Sequence, residues 1–247
     1  MLPVTYVNAK GEEVKVNIPI SWRDITWAKF VEIESTKFEN ECARIAFIAG
    51  IELNVLLNNP LFYKAIIEST SFIYEVDINQ YQSFIPAKLK ELITEKGCDN
   101  VGSKECGKIE TTKTAIKGSG EEPYQAAATI IKTYLDIDIN DKPVVEVLGL
   151  VAFFFDQVGA FFAKYQQLNE GDVDEDEQLA GVHRLSAFGP FATMDYLTKG
   201  DLSKHDEFWN MPADKIYTKL LFDKVARDVE KDLKKIKEAQ SNERTKR

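Results

Sequence analysis

Histidine and cysteine are scarce, with two and three residues in a chain of 247. Metal centres and nucleophile–base pairs draw mostly on these types, so few such sites can be built. The cysteines, Cys42, Cys98 and Cys106, are odd in number, which argues against a disulfide framework. Cys98 and Cys106 have no histidine near them and lack the ligand count for structural zinc. Basic residues are also in deficit, 31 against 40 acidic ones, and the formal charge of -9 repels nucleic acid and anionic membrane. No charged segment followed by an apolar run opens the chain, so a reducing cytoplasm is expected. An uninterrupted membrane span is missing too. The most apolar stretch, Pro143 to Tyr165, carries Glu146, Asp156 and Gln157, which points to a helix buried in protein. No internal repeat is evident.

Apolar material is plentiful, with 44% hydrophobic residues and 11% aromatics, enough for one large domain or two small ones. Val4 to Val7, a polar turn at Asn8 to Gly11, and alternation at Val14, Val16 and Ile18 spell an N-terminal β-hairpin that must lie on helices to be stable. Thr26 is an N-cap ahead of Trp27, Phe30, Val31 and Ile33, and a second helix stops at Gly50. Asn59 and Pro60 occupy the N-cap and first-turn positions of a third, with Leu61, Ala65, Ile66, Ser69 and Ile73 at helical spacing. A shorter helix starts at Pro86. From Thr94 to Glu122 glycine, threonine and lysine replace large apolar residues, which predicts an excursion, either flexible or a small β-ribbon around Lys108 to Ile116.

Helix resumes at Pro123. Pro143 to Leu168 is the longest apolar element, with one stripe through Val144, Leu148, Val151, Phe155, Val158, Phe162 and Tyr165 and a second through Val147, Leu150, Phe154, Phe161 and Leu168. Two apolar faces require neighbours on both sides, and Phe155→Asp is predicted to prevent folding. Pro190 to Gly200 is a helix, Ser203 and Asp206 suggest a capping box, and a final helix from Pro212 carries Ile216, Leu220, Val225, Val229, Leu233 and Ile236 on one stripe. Asp223 with Arg227 and Glu230 with Lys234 stand at supportive spacing. The tail beyond Lys234 turns basic, whereas Glu170 to Glu177 is strongly acidic.

Several motifs fail on inspection. Gly102 to Ile109 matches a phosphate loop, yet Ile109 stands where magnesium needs a hydroxyl, and no strand precedes it. Asp136 to Asp141 and Asp172 to Glu177 alternate carboxylates as calcium loops do, but Asp141 and Glu177 replace the turn glycine, and Val147 and His183 replace the bidentate glutamate. Asp138 with Asn140 fits a turn and cap. His183 and His205 have no nucleophile tied to them by a recognisable spacing, and an enzyme would have to gather one of them with carboxylates in a pocket. No catalytic, cofactor-binding or metal residue is therefore assigned. The C-terminal aromatics exceed what one packed stripe needs, and Phe188, Phe191, Tyr196, Phe208, Trp209 and Tyr217 are the candidate partner contacts.

Three segments, IPISWRDITWAKFVEIE after the hairpin, ARIAFIAGIELNVLLNNPLFYKAIIESTSFIYE, and FGPFATMDYLTKGDLSKHDEFWNMPADKIYTKLLFDKVARDVEK, resemble small helical proteins encoded among the head and tail genes of tailed bacteriophages, tail assembly chaperones included. The resemblance implies a non-enzymatic part in virion building, either an assembly factor or a minor component near portal, tail or baseplate. It implies phage structural proteins as partners, no cofactor, no nucleic acid, no membrane, and a place in the infected host's cytoplasm or the virion, with oligomerisation open. The expected fold is mainly α: a helical bundle with a small N-terminal β-hairpin and a Gly-rich insertion. The expected division is 1–93, 94–122 and 123–247, with the outer two sharing one core.

Overall fold

The computed structural model describes residues 1–8, 10–58, 60–71, 85–120, 122–168 and 182–245. The expected Asn59 cap, Ile73 and the acidic Asp172 to Glu177 lie outside these residues, as does the His183 side chain. Among the described residues the fold is mainly helical with one two-stranded sheet. It divides into two compact units, Met1–Lys96 with Ala115–Phe155, and Gly97–Thr114 with Asp156–Arg247, limits that differ from the expected three segments.

In the first unit, β1 (Leu2–Val7) and β2 (Glu13–Ile18) pair antiparallel with Val4 opposite Val16 and Tyr6 opposite Val14. The turn closes because Asn8 Oδ1 accepts the amides of Lys10 and Glu12, each at 2.9 Å, and Gly11 takes a φ of 83°. Period-two alternation sends Val4, Tyr6, Val16 and Ile18 onto a core of Ile45, Ala46, Ala49, Leu56 and Ile66. Those residues come from α2 (Glu41–Ala49), α3 (Leu53–Leu57) and α4 (Pro60–Thr70). Gly50 ends α2 in the left-handed conformation, φ 68°, as its sequence position predicts.

A second cluster joins Trp22, Ile25, Ile33, Ile48, Val144 and Val145. It is set by α1 (Trp27–Ser35), whose Thr26 cap accepts the Lys29 amide at 3.4 Å, and by the start of α8 (Val144–Lys164). The two helix starts share backbone: Trp27 N donates to Lys142 O at 2.8 Å and Val144 N to Ile25 O at 2.9 Å, around the Thr26–Pro143 bridge. Helix N-termini leave amides without intrahelical partners, and here each supplies the other. α5 (Ala87–Glu95) and α7 (Pro123–Leu135) complete the unit, with Tyr134 stacked on Phe154 at 4.7 Å.

The second unit repeats the device. A single turn, Val101–Ser103, leads through Lys104 and Glu105 into α6 (Cys106–Gly118), as Trp22–Asp24 leads through Ile25 and Thr26 into α1. Cys106 N donates to Met211 O at 2.7 Å and Ala213 N to Lys104 O at 2.8 Å, around the Glu105–Pro212 bridge. α9 (Pro190–Thr198) and α10 (His205–Trp209) precede α11 (Ala213–Thr245).

Four expectations are corrected. The 94–122 stretch is neither ribbon nor loop along its length, because α6 buries Cys106, Ile109 and Thr112. Its threonines are tolerated in the helix since Thr112 and Thr114 hydroxyls donate back to the Lys108 and Glu110 carbonyls at 2.8 and 3.0 Å. Phe155 is 36% exposed whereas adjacent Phe154 is fully buried, so only one of the two α8 stripes is buried throughout this region. The final helix buries Ile216 but exposes Val225, Val229, Leu233 and Ile236. Ser203 and Asp206 do not form a capping box: Asp201 heads the turn, accepting from Ser203 N at 3.1 Å and Ser203 Oγ at 2.6 Å. α8 is the one described helix long and apolar enough to cross a membrane, and just over half of its most apolar window is buried in protein.

Candidate partner-binding surface

The six aromatics singled out by the sequence lie in the second unit, and they separate by burial. α9 starts at Pro190 after Gly189, whose φ of 52° turns the chain out of the Val182–Phe188 turn. Met194 and Thr198 form its buried face, and the Thr198 hydroxyl donates to Met194 O at 2.9 Å. Tyr196, at 50% exposure, lies on the opposite face, whereas Phe191, at 51%, is exposed in the first turn and Phe188, at 61%, just before it. Leu185 and Leu202 are also exposed, and sequence reading missed both because isolated leucines in short turns carry no periodic signal. Phe191 rests against the His205 ring at 5.1 Å, and Tyr196 Oη donates to Asp223 at 3.3 Å.

Phe208 and Trp209 are half-buried. The Trp209 indole lies on Gly107 so closely that a Cβ there would come within 2.1 Å of Nε1. Tyr217 is excluded from any surface: it is 8% exposed, packs on Phe161 at 4.9 Å and Tyr165 at 5.4 Å, and donates to Glu110 Oε1 at 2.6 Å. Burial and the Glu110 charge push its hydroxyl far above the usual phenol range. Burial, reinforced by Glu110, raises the Cys106 thiol to about 12, which leaves it a packing group and no nucleophile. Lys113 lies 3.6 Å from the same carboxylate.

The phosphate-loop lookalike has a structural explanation. Gly102 and Gly107 make room for protein side chains, with a Cβ at Gly102 falling 2.4 Å from Asp214 Oδ2. Asp214 in turn accepts from Lys164 Nζ at 2.5 Å and Tyr165 Oη at 2.7 Å. Partial burial opposes its ionisation, but these donors prevail and hold the carboxyl below its ordinary range. A carboxylate seated there repels a phosphate.

His205 Nε2 stands 3.9 Å from Asp195 and has no hydrogen-bond partner. Asp138 Oδ1 accepts the Asn140 amide at 3.0 Å, the turn expected of it. Among the described residues no group of three or more His, Cys, Asp or Glu side chains could hold a metal ion. The first unit has an open groove of about 620 Å³ between α5 and the turn before α8, where Lys88 and Lys142 alternate with Glu91, Glu95 and Glu146. What remains is a set of exposed apolar side chains close in sequence, Leu185 and Phe188 in the turn before α9, Phe191 at its start and Leu202 in the turn after it. Comparisons with protein-family models, with curated proteins and with solved structures found no match.

Proposed function

We propose that the chain is a non-enzymatic, protein-binding component of tailed-phage virion assembly, acting as a tail assembly factor or as a minor structural protein near portal, tail or baseplate. The observation that carries the binding role is the exposure of Phe188, Phe191 and Leu202, each more than half open to solvent within one short helical module. Grouped exposed apolar side chains with a polar rim are a mark of protein-interaction sites. Asp195, Lys199 and Asp201, interspersed in sequence between Phe191 and Leu202 and exposed or half-exposed, supply polar groups for such a rim. The phage context rests on the three sequence segments that resemble head and tail morphogenesis proteins. Partners are then other phage structural proteins, met in the cytoplasm of the infected host or in the virion.

Quantitative mass spectrometry of purified particles, combined with capture by individually expressed head and tail proteins, tests the reading. Capture that Phe188→Ser with Phe191→Ser reduces at least tenfold supports it. Fixed copy number in particles then identifies a component, and absence identifies an assembly factor. Undiminished capture by the double variant, or turnover of a substrate by the purified chain, overturns it.

A further inference from the structure

The last helix is buried only at its start. Ala213, Ile216 and Tyr217 are enclosed, and Lys224 Nζ bonds to Gln167 O, but from Val225 onward every described side chain of α11 through Ser241 is exposed. That exposed part is not uniformly polar. Phe222, Val225, Val229, Leu233 and Ile236 recur at intervals of three and four and are 47% to 68% exposed, which places five large apolar side chains on one stripe. A solvated helix has no need of such a stripe.

Its charges are polarised as well. Asp223, Asp228 and Glu230 outnumber Lys224 and Arg227 in the first part, and Lys231, Lys234, Lys235 and Lys237 outnumber Asp232 and Glu238 in the second. Parallel pairing of two copies sets the lysine-rich halves side by side. Antiparallel pairing sets each acidic half against a basic one.

We infer that α11 is a self-association element, on which a second copy of this chain packs antiparallel along the stripe. With the two-fold axis between Asp232 and Leu233, Val229 faces Ile236 of the second copy and Leu233 lies beside its own counterpart, while Val225 comes opposite Gln240 and Phe222 lies at the edge of the paired segment. At 100° per residue, Asp228 then flanks Lys235 of the second copy and Glu230 flanks Lys237, each pair occurring twice. Asp232 comes beside the axis next to its own counterpart, the one unfavourable contact. From Phe222 to Gln240 the helix runs about 27 Å, and two such helices bury on the order of 1,000 Å², the lower end for specific association. A micromolar, salt-sensitive dimer follows. It stands independently of the phage reading and uses a surface separate from Phe188 and Phe191.

Sedimentation equilibrium of the full chain up to about 100 μM, well above such a dissociation constant, is the test. Dimer is expected, with Leu233→Glu weakening it more than tenfold at a thermal midpoint unchanged in dilute solution, where the parent is monomeric, and Asp232→Ala tightening it. Orientation is read by oxidation in a Cys42→Ser background: Val229→Cys chains should cross-link to Ile236→Cys chains in preference to their own kind. A monomer at every concentration, including one that binds a different protein through this stripe, overturns the inference. So does preferential self-linkage of Val229→Cys, the mark of parallel pairing.

Discussion

The Thr26–Pro143 and Glu105–Pro212 bridges use the same backbone hydrogen bonds, yet the side chains around them have diverged. In the first unit the bridge is walled by large apolar residues, with Trp22, Ile25, Trp27 and Val145 all buried. In the second, Val101, Lys104, Cys106 and Asp214 stand at the matching positions, and the space left by smaller residues is taken by neighbours reaching in. Trp209 covers Gly107 and the Asp214 carboxylate approaches Gly102. Paired helix N-termini can therefore be closed either by one bulky local residue or by a glycine and a distant side chain. The second solution ties α10 and α11 to α6 and fixes the module that exposes Phe188 and Phe191.

The largest expected effect comes from exchanging the two solutions at one position. Gly107→Leu drives a side chain into the Trp209 indole and is expected to cost about 3 kcal/mol, the upper end for overpacking. Ala28, at the matching place in the first unit, is exposed, and Ala28→Leu should stay within about 0.5 kcal/mol. Urea unfolding of both variants checks this, and equal costs would dissolve the contrast between the bridges.

Next is the carboxylate that the second unit has where the first has Val145. Asp214→Asn should lower stability by about 2 kcal/mol near neutral pH, since a hydrogen-bonded charge is lost. The folded carboxyl is held below its unfolded value, so its contribution is complete above about pH 4 and fades as pH falls through the folded pKa. The gap between parent and variant should accordingly close in acid. A gap that persists at low pH would mean that packing, not charge, is what the substitution removes.

A smaller effect is expected for Phe155→Asp, below about 1 kcal/mol, because the ring is partly exposed and the charge can stay solvated. Chemical denaturation compares it with Phe154→Asp, which buries a charge and should not fold. The smallest is a count without a stability change: thiol reagent should modify Cys42 in the native chain and reach Cys98 and Cys106 only after denaturation.

What could be read from the chain follows from where its signals are local. Asn8 and Gly11 fixed the hairpin turn, Thr26 capped its helix, Gly50 ended another, and Pro60, Pro123 and Pro190 marked helix starts, because each acts through its own backbone. The recurrence of the bridge was not legible, since Trp22–Phe30 and Val101–Ile109 share only Lys29 and Lys108 at matching positions and the repeated feature is main-chain pairing across more than 100 residues. Composition hid α6, whose glycines and threonines resemble a loop until the residues that fill beside them are known. Of the six aromatics, spacing could not separate Tyr217, enclosed by α8 side chains and Glu110, from Phe188 and Phe191, because periodicity reports a face and not what covers it.

Amide hydrogen exchange resolved by residue tests most directly that the fold is closed twice by the same device. The account predicts that the amides of Trp27, Val144, Cys106 and Ala213 exchange only with cooperative opening of their units, while amides from Val225 to Ile236 exchange by local fraying in dilute solution. Rapid exchange at Cys106 and Ala213, with Trp27 and Val144 protected, would contradict it.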